Sequence, residues 1–126
     1  MEKIEPSQVE TGRSVVWRGV GLTDVGRVRS TNQDVFAIDN QLGLWPVADG
    51  VGGRAGGGLP SHLATESVVA HIRATLPEGH NSPPFRKKAI EGLREATRAG
   101  RIVVRKTADR QSELRGMGST SSFFRF

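Results

Sequence analysis

No regular element can run through residues 49–58. Asp49 closes an apolar run, WPVAD, and six of the next nine residues, GVGGRAGGG, are glycine. Glycine loses the most backbone freedom on ordering and offers no side chain to pack, so this stretch must divide the chain into two differently folded parts. Before it, residues 14–22 (SVVWRGVGL), 34–39 (DVFAID) and 42–48 (LGLWPVA) mix β-branched residues with alternation and predict three strands, the last two joined by a turn at Asn40 and Gln41. After it the period changes. Leu63, Ala64, Val68 and Ile72 share one face of a helix predicted over 59–76, with Pro60 in the first turn, where its missing N–H costs nothing.

The loop PEGHNSPP comes next, and Ser82-Pro83 predicts the start of a second helix reaching about Val104. Leu93, Thr97, Gly100 and Val104 fall on one side of it; Lys87, Arg94, Arg98, Arg101 and Arg105 fall on another. TADRQSELRG reads as a polar loop, and GMGSTSSFFRF begins a strand whose Phe124 and Phe126 would face the core. Strands, two consecutive helices and a further strand predict an α+β arrangement, helices stacked on antiparallel sheet.

At 126 residues the chain fits one domain. It has no run of 18 apolar residues, and its opening, MEKIEPSQVE, is too charged for a secretory signal, so the expected location is cytoplasmic with no membrane association. The absence of cysteine excludes disulfides, thiolate metal sites and cysteine nucleophiles, leaving oxygen and imidazole as ligands. His62, His71 and His80, nine residues apart, suggest no ligand set. The net charge of +5 resides in the second half: residues 1–63 hold six Lys/Arg against seven Asp/Glu, residues 64–126 twelve against six. Such a surface attracts anionic partners, but without an aromatic platform or a motif a nucleic-acid role for Arg94, Arg98, Arg101 and Arg105 is not expected.

Three devices use a glycine-rich turn. A Walker loop requires a lysine, and none occurs from Gly50 to Leu76. Gly50, Gly52 and Ala55 match a dinucleotide fingerprint, but the element after the first helix is another helix with no returning strand, and Asp49 would repel a pyrophosphate. The third device fits: a carboxylate, Asp49, beside a glycine, Gly50, whose backbone carbonyl can approach the same hard cation.

Together, TDVGRVRSTNQD at 23–34, VADGVGG with Ala55 and Gly56, and GMGST at 116–120 resemble the metal-dependent protein phosphatase family, type 2C, in its bacterial style. The resemblance implies an α-β-β-α sandwich holding two Mn²⁺ or Mg²⁺ ions that activate water against phosphoserine or phosphothreonine in a phosphorylated protein. By that match Asp49 is the carboxylate bridging both ions, Gly50 a carbonyl ligand, Asp34 a carboxylate holding metal-bound water, and Arg29 the guanidinium that clamps the substrate phosphate. The residue types suit that chemistry, with hard oxygens for a hard ion and a planar fork for phosphate. Thr120 corresponds to a buried strand residue near the cleft.

The sequence departs from that pattern in three places. Gln33 stands where the family generally has glutamate. Pro46 removes a ladder donor, which predicts an edge strand or bulge. The chain also ends six residues after Thr120, before the later aspartates of the family. The expected organisation is a tail over 1–13 and, over 14–126, the N-terminal half of the phosphatase fold, an incomplete sandwich truncated after the G-S-T segment. Weak metal binding and low or absent activity are then expected. The alternative is a catalytically silent module that docks phosphoproteins through Arg29 and the arginine stripe.

Overall fold

The computed structural model describes residues 17–51, 58–75 and 83–125. Three antiparallel strands form one sheet in the order β1 (Asp34–Phe36), β2 (Leu44–Val51), β3 (Gly118–Arg125). Helices α1 (Leu59–Thr75) and α2 (Pro83–Arg110) pack on each other, and α1 lies against β2. This α+β architecture has helices on one face of the sheet, as the alternation along β2 requires: Leu44, Pro46, Ala48 and Gly50 are buried, while Val47, Asp49 and Val51 face outward.

Leu44, Val68, Ile72 and Ala96 form the core, with Leu93 and Phe123 partly buried against it. Each fully buried aliphatic side chain contributes on the order of 1.5–3 kcal/mol. Phe123 packs against the core; the expectation for Phe124 and Phe126 concerns side chains that lie outside the described residues.

Helix α1 matches its expected range as far as Thr75, with Ala64, Val68 and Ile72 buried. On α2 the buried stripe is Gly92, Ala96, Gly100 and Val104, and Thr97 is exposed. These small residues admit close approach: a Cβ on Gly100 would lie 3.4 Å from the Ala64 carbonyl oxygen. The helix also outruns its predicted end, because Val104 and Ala108 pack with Leu114 and Met117 in a second cluster that the polar sequence TADRQSELRG conceals.

Two strand expectations are corrected. Residues 17–22 form no strand; 14–16 lie outside the described residues. Instead the Gly19 amide donates to Asn40 Oδ1 (2.9 Å), which also accepts from Trp45 Nε1 (3.1 Å). The segment lies so close to the sheet that a Cβ on Gly19 would collide with the Trp45 indole, and one on Gly21 with the Phe36 ring. Pro46 sits in the central strand, not at an edge. Its carbonyl accepts from Ala37 N (3.0 Å), so its missing donor also faces β1, at Ala37. There β1 breaks off, and pairing resumes in the same register only at the Asp39–Leu44 bridge.

The turn after that bridge is held by Asp39, 8 % exposed, whose Oδ1 accepts from the amides of Gln41 (3.1 Å) and Leu42 (2.9 Å). Arg73 reaches Asp39 Oδ2 at 2.6 Å, joining α1 to the hairpin. Burial pushes the Asp39 pKa up, but the hydrogen bond from Leu42, the bond and charge of Arg73, and the bond from Gln41 outweigh it and hold the carboxyl below its usual range.

Candidate metal centre

Asp34 and Asp49 stand directly opposite each other across β1 and β2. The neighbouring pair Gln33 and Gly50 is hydrogen-bonded, Gly50 N to Gln33 O at 3.1 Å. Antiparallel pairs alternate, so Asp34 and Asp49 form a non-hydrogen-bonded pair, the kind whose Cα atoms lie only about 4.5 Å apart. Both carboxylates occur on the face away from the helices, and both residues are exposed. Like charges so placed repel, and a cation between them converts that cost into attraction.

Local bonds fix this pair. Asn32 donates to Thr23 Oγ1 (2.7 Å) and accepts from the Asp34 amide (3.0 Å), closing the loop that leads into β1. Ser61, fully buried in the first turn of α1, donates its hydroxyl to the Gln33 carbonyl at 2.6 Å. That carbonyl also receives Gly50 N, so one oxygen ties the start of β1 to the end of β2 and to α1. Because the Gly50 amide points toward β1, its carbonyl does too. It receives no hydrogen bond from a described residue.

On the other side of Asp49, Thr120 is its register partner. Ser119 Oγ donates to the Asp49 carbonyl at 3.1 Å, and Thr120 Oγ1 lies 3.5 Å from the same oxygen. Thr120 is exposed rather than buried, since residues 17–22 rest on Trp45 and Phe36 and do not cover this end of the outer face. Sequence reasoning missed Ser119, Ser61, Thr23 and Asn32, whose contacts reach across nine to seventy residues; only the Asn32-x-Asp34 spacing, typical of a side chain capping its own turn, was a local signal.

Arg29 is exposed in the loop before β1, and no hydrogen bond or ion pair joins it to either carboxylate among the described residues. The turn at residues 26–28, just before it, is shaped by Gly26 (φ 75°), whose amide donates to Asp24 Oδ1 at 2.7 Å. Among the described residues no three His, Asp or Glu side chains converge. His62 is exposed on α1; His71 Nε2 lies 3.9 Å from Glu95 of α2, an interhelical contact remote from the carboxylates in the fold. His80 lies outside the described residues. The oxygens present thus fit part of a hard-cation shell: two carboxylates and one carbonyl, where such ions take six or more donors.

Comparison with known proteins gives a consistent result. A family model described as protein phosphatase 2C matches residues 26–126. The serine/threonine protein phosphatase PstP of Mycobacterium tuberculosis is 32 % identical over 108 residues, which are 85 % of this chain and 19 % of PstP. The crystal structure of the PstP catalytic domain, in complex with two manganese ions, superposes with a TM-score of 0.62 at 30 % identity over 82 % of this chain and 40 % of that one. The phosphatase MsPP of Mycobacterium smegmatis, crystallised with cacodylate, gives a TM-score of 0.60 at 29 % identity, covering 82 % and 37 %. The chain spans about a fifth of the length of the curated relatives it matches.

Proposed function

The chain belongs to the protein phosphatase 2C family, and from that premise we propose that it carries part of the site for metal-dependent hydrolysis of phosphoserine or phosphothreonine in proteins. Asp34, Asp49 and the Gly50 carbonyl hold divalent cation, Mn²⁺ or Mg²⁺, and Arg29 engages the substrate phosphate. The observation that carries this reading is the closely spaced register pair Asp34–Asp49 on an exposed face. The two manganese ions of the PstP catalytic domain support the choice of ion.

When bound, such a cation supplies a Lewis acid and lowers the pKa of water beside it. The chain's own residues do the rest. Asp34 and Asp49 position the cation, Ser61 and Ser119 hold the strand ends that carry them, and the Arg29 fork orients a phosphoryl group. Exposure of the pair leaves room for a protein substrate. Phosphoprotein substrates favour the cytoplasm, and no described helix is long and apolar enough to cross a membrane. The family match, residues 26–126, falls inside the phosphatase segment expected over 14–126.

Titration of Mn²⁺ into the chain, followed by electron paramagnetic resonance, tests the proposal. Binding in the millimolar range or weaker is expected from so few ligands, with loss in Asp49→Asn and in Asp34→Asn. Hydrolysis of para-nitrophenyl phosphate should stay near background. Manganese affinity indifferent to both substitutions would remove the site.

Among the described residues no third acidic side chain joins Asp34 and Asp49, which favours a second reading, a silent phosphoprotein-binding module. Capture of a phosphorylated partner through Arg29, unchanged by chelator, would select it over the first.

A further inference from the structure

On the helix side of the sheet, a cleft of about 440 Å³ opens between α2 and β3. Its floor is apolar, from Val68, Val104 and Met117, and its rim carries Arg101, Arg105 and the hydroxyl of Ser121. Arg101 and Arg105 are four apart on a helix and therefore project side by side. No acidic side chain lines the cleft, and neither arginine makes an ion pair among the described residues. The cleft is separate from the carboxylate pair: Ser119 and Ser121 stand opposite Gly50 and Ala48 on the helix side, whereas Thr120 stands opposite Asp49 on the outer face.

We propose that this cleft binds a phosphate monoester carried on an apolar body. The two guanidinium forks take the phosphate oxygens, Ser121 adds a donor, and the body lies on Val104 and Met117. Arginine suits phosphate because its planar donors pair with two oxygens at once. The size fits, since small-ligand pockets run from about 300 Å³ upward. The rest of the arginine stripe differs: Arg94 and Arg98 border another groove, lined from α2 alone by Ile90, Leu93 and Thr97.

Phenyl phosphate titrated into the full chain in EDTA, followed by amide NMR shifts, tests the site. Shifts are expected at Met117, Ser119 and Ser121, with inorganic phosphate binding more weakly and phenol not at all. The double variant Arg101→Ala/Arg105→Ala should weaken binding at least about tenfold, the loss expected for charge-assisted hydrogen bonds. Arg94→Ala/Arg98→Ala should leave it unchanged. Ser121→Phe, on a different element, should fill the cleft and abolish binding. Because both arginines are exposed, circular dichroism of the double variant should match the parent. AMP and a phosphotyrosine peptide as separate titrants tell a small ester from a phosphorylated side chain. Absence of binding by phenyl phosphate, an equal loss in the Arg94/Arg98 variant, or equal affinity for inorganic phosphate would overturn the proposal.

Discussion

Asp34 and Asp49 face each other across adjacent strands with no backbone hydrogen bond between them, the arrangement that brings two carboxylates closest. In the absence of a cation this placement works against the fold. Removing one charge, by Asp49→Asn, should raise stability in EDTA by a few tenths to about 1 kcal/mol, the usual scale of a cross-strand pair. Urea unfolding with and without Mn²⁺ checks it: the substitution should stabilise the metal-free chain and cancel any stabilisation by Mn²⁺. A lower urea midpoint for Asp49→Asn in EDTA would show that the pair is not repulsive.

Ser61 lies one layer behind that pair. Its hydroxyl holds the Gln33 carbonyl that also receives Gly50 N. Ser61→Ala should cost about 1 kcal/mol of stability. It should also weaken Mn²⁺ binding without removing a ligand, whereas Ser61→Thr, retaining a hydroxyl, should restore part of both. A manganese affinity equal to the parent's would confine Ser61 to a structural part.

Asp39 gives the fold a pH dependence of known sign. Its carboxyl titrates below the usual value of 3.8, so its contribution is complete above that value and fades as pH falls through its lower folded pKa. Asp39→Ala should cost about 1.5–3 kcal/mol at pH 7 and flatten the stability profile below pH 4, since it removes the charged acceptor of the Gln41 and Leu42 amides and of Arg73. Arg73→Ala should cost less, because that guanidinium is largely exposed and the turn amides remain bound. Denaturation curves across the acid range separate the two.

Two glycines predict opposite outcomes. At Gly100 a Cβ would meet Ala64 at an ordinary contact distance of 3.4 Å, so Gly100→Ala should stabilise α2 by about 0.5–1 kcal/mol through helix propensity. At Gly19 the Cβ has no space beside the Trp45 indole. Gly19→Ala should lift residues 17–22 from the sheet and shift Trp45 fluorescence toward that of exposed indole. Unchanged fluorescence there would mean that the segment does not rest on Trp45 in solution.

Much of this molecule is determined locally. The glycine run forces a break, and the helical period of Ala64, Val68 and Ile72 suffices to place α1, because burial of one face is a direct consequence of spacing. The Asp49-Gly50 step likewise carries its chemistry in two adjacent residues. Register is different in kind, for it arises from pairings such as Asp49 with Thr120, separated by 71 residues, and no local preference encodes them. Only the assembled sheet set Asp34 against Asp49, turned Thr120 outward, put Pro46 in a central strand with its missing donor at the point where β1 breaks, and chose Phe123 for the core. Each of these depends on which strand lies alongside, and that is decided when distant segments bury a common face.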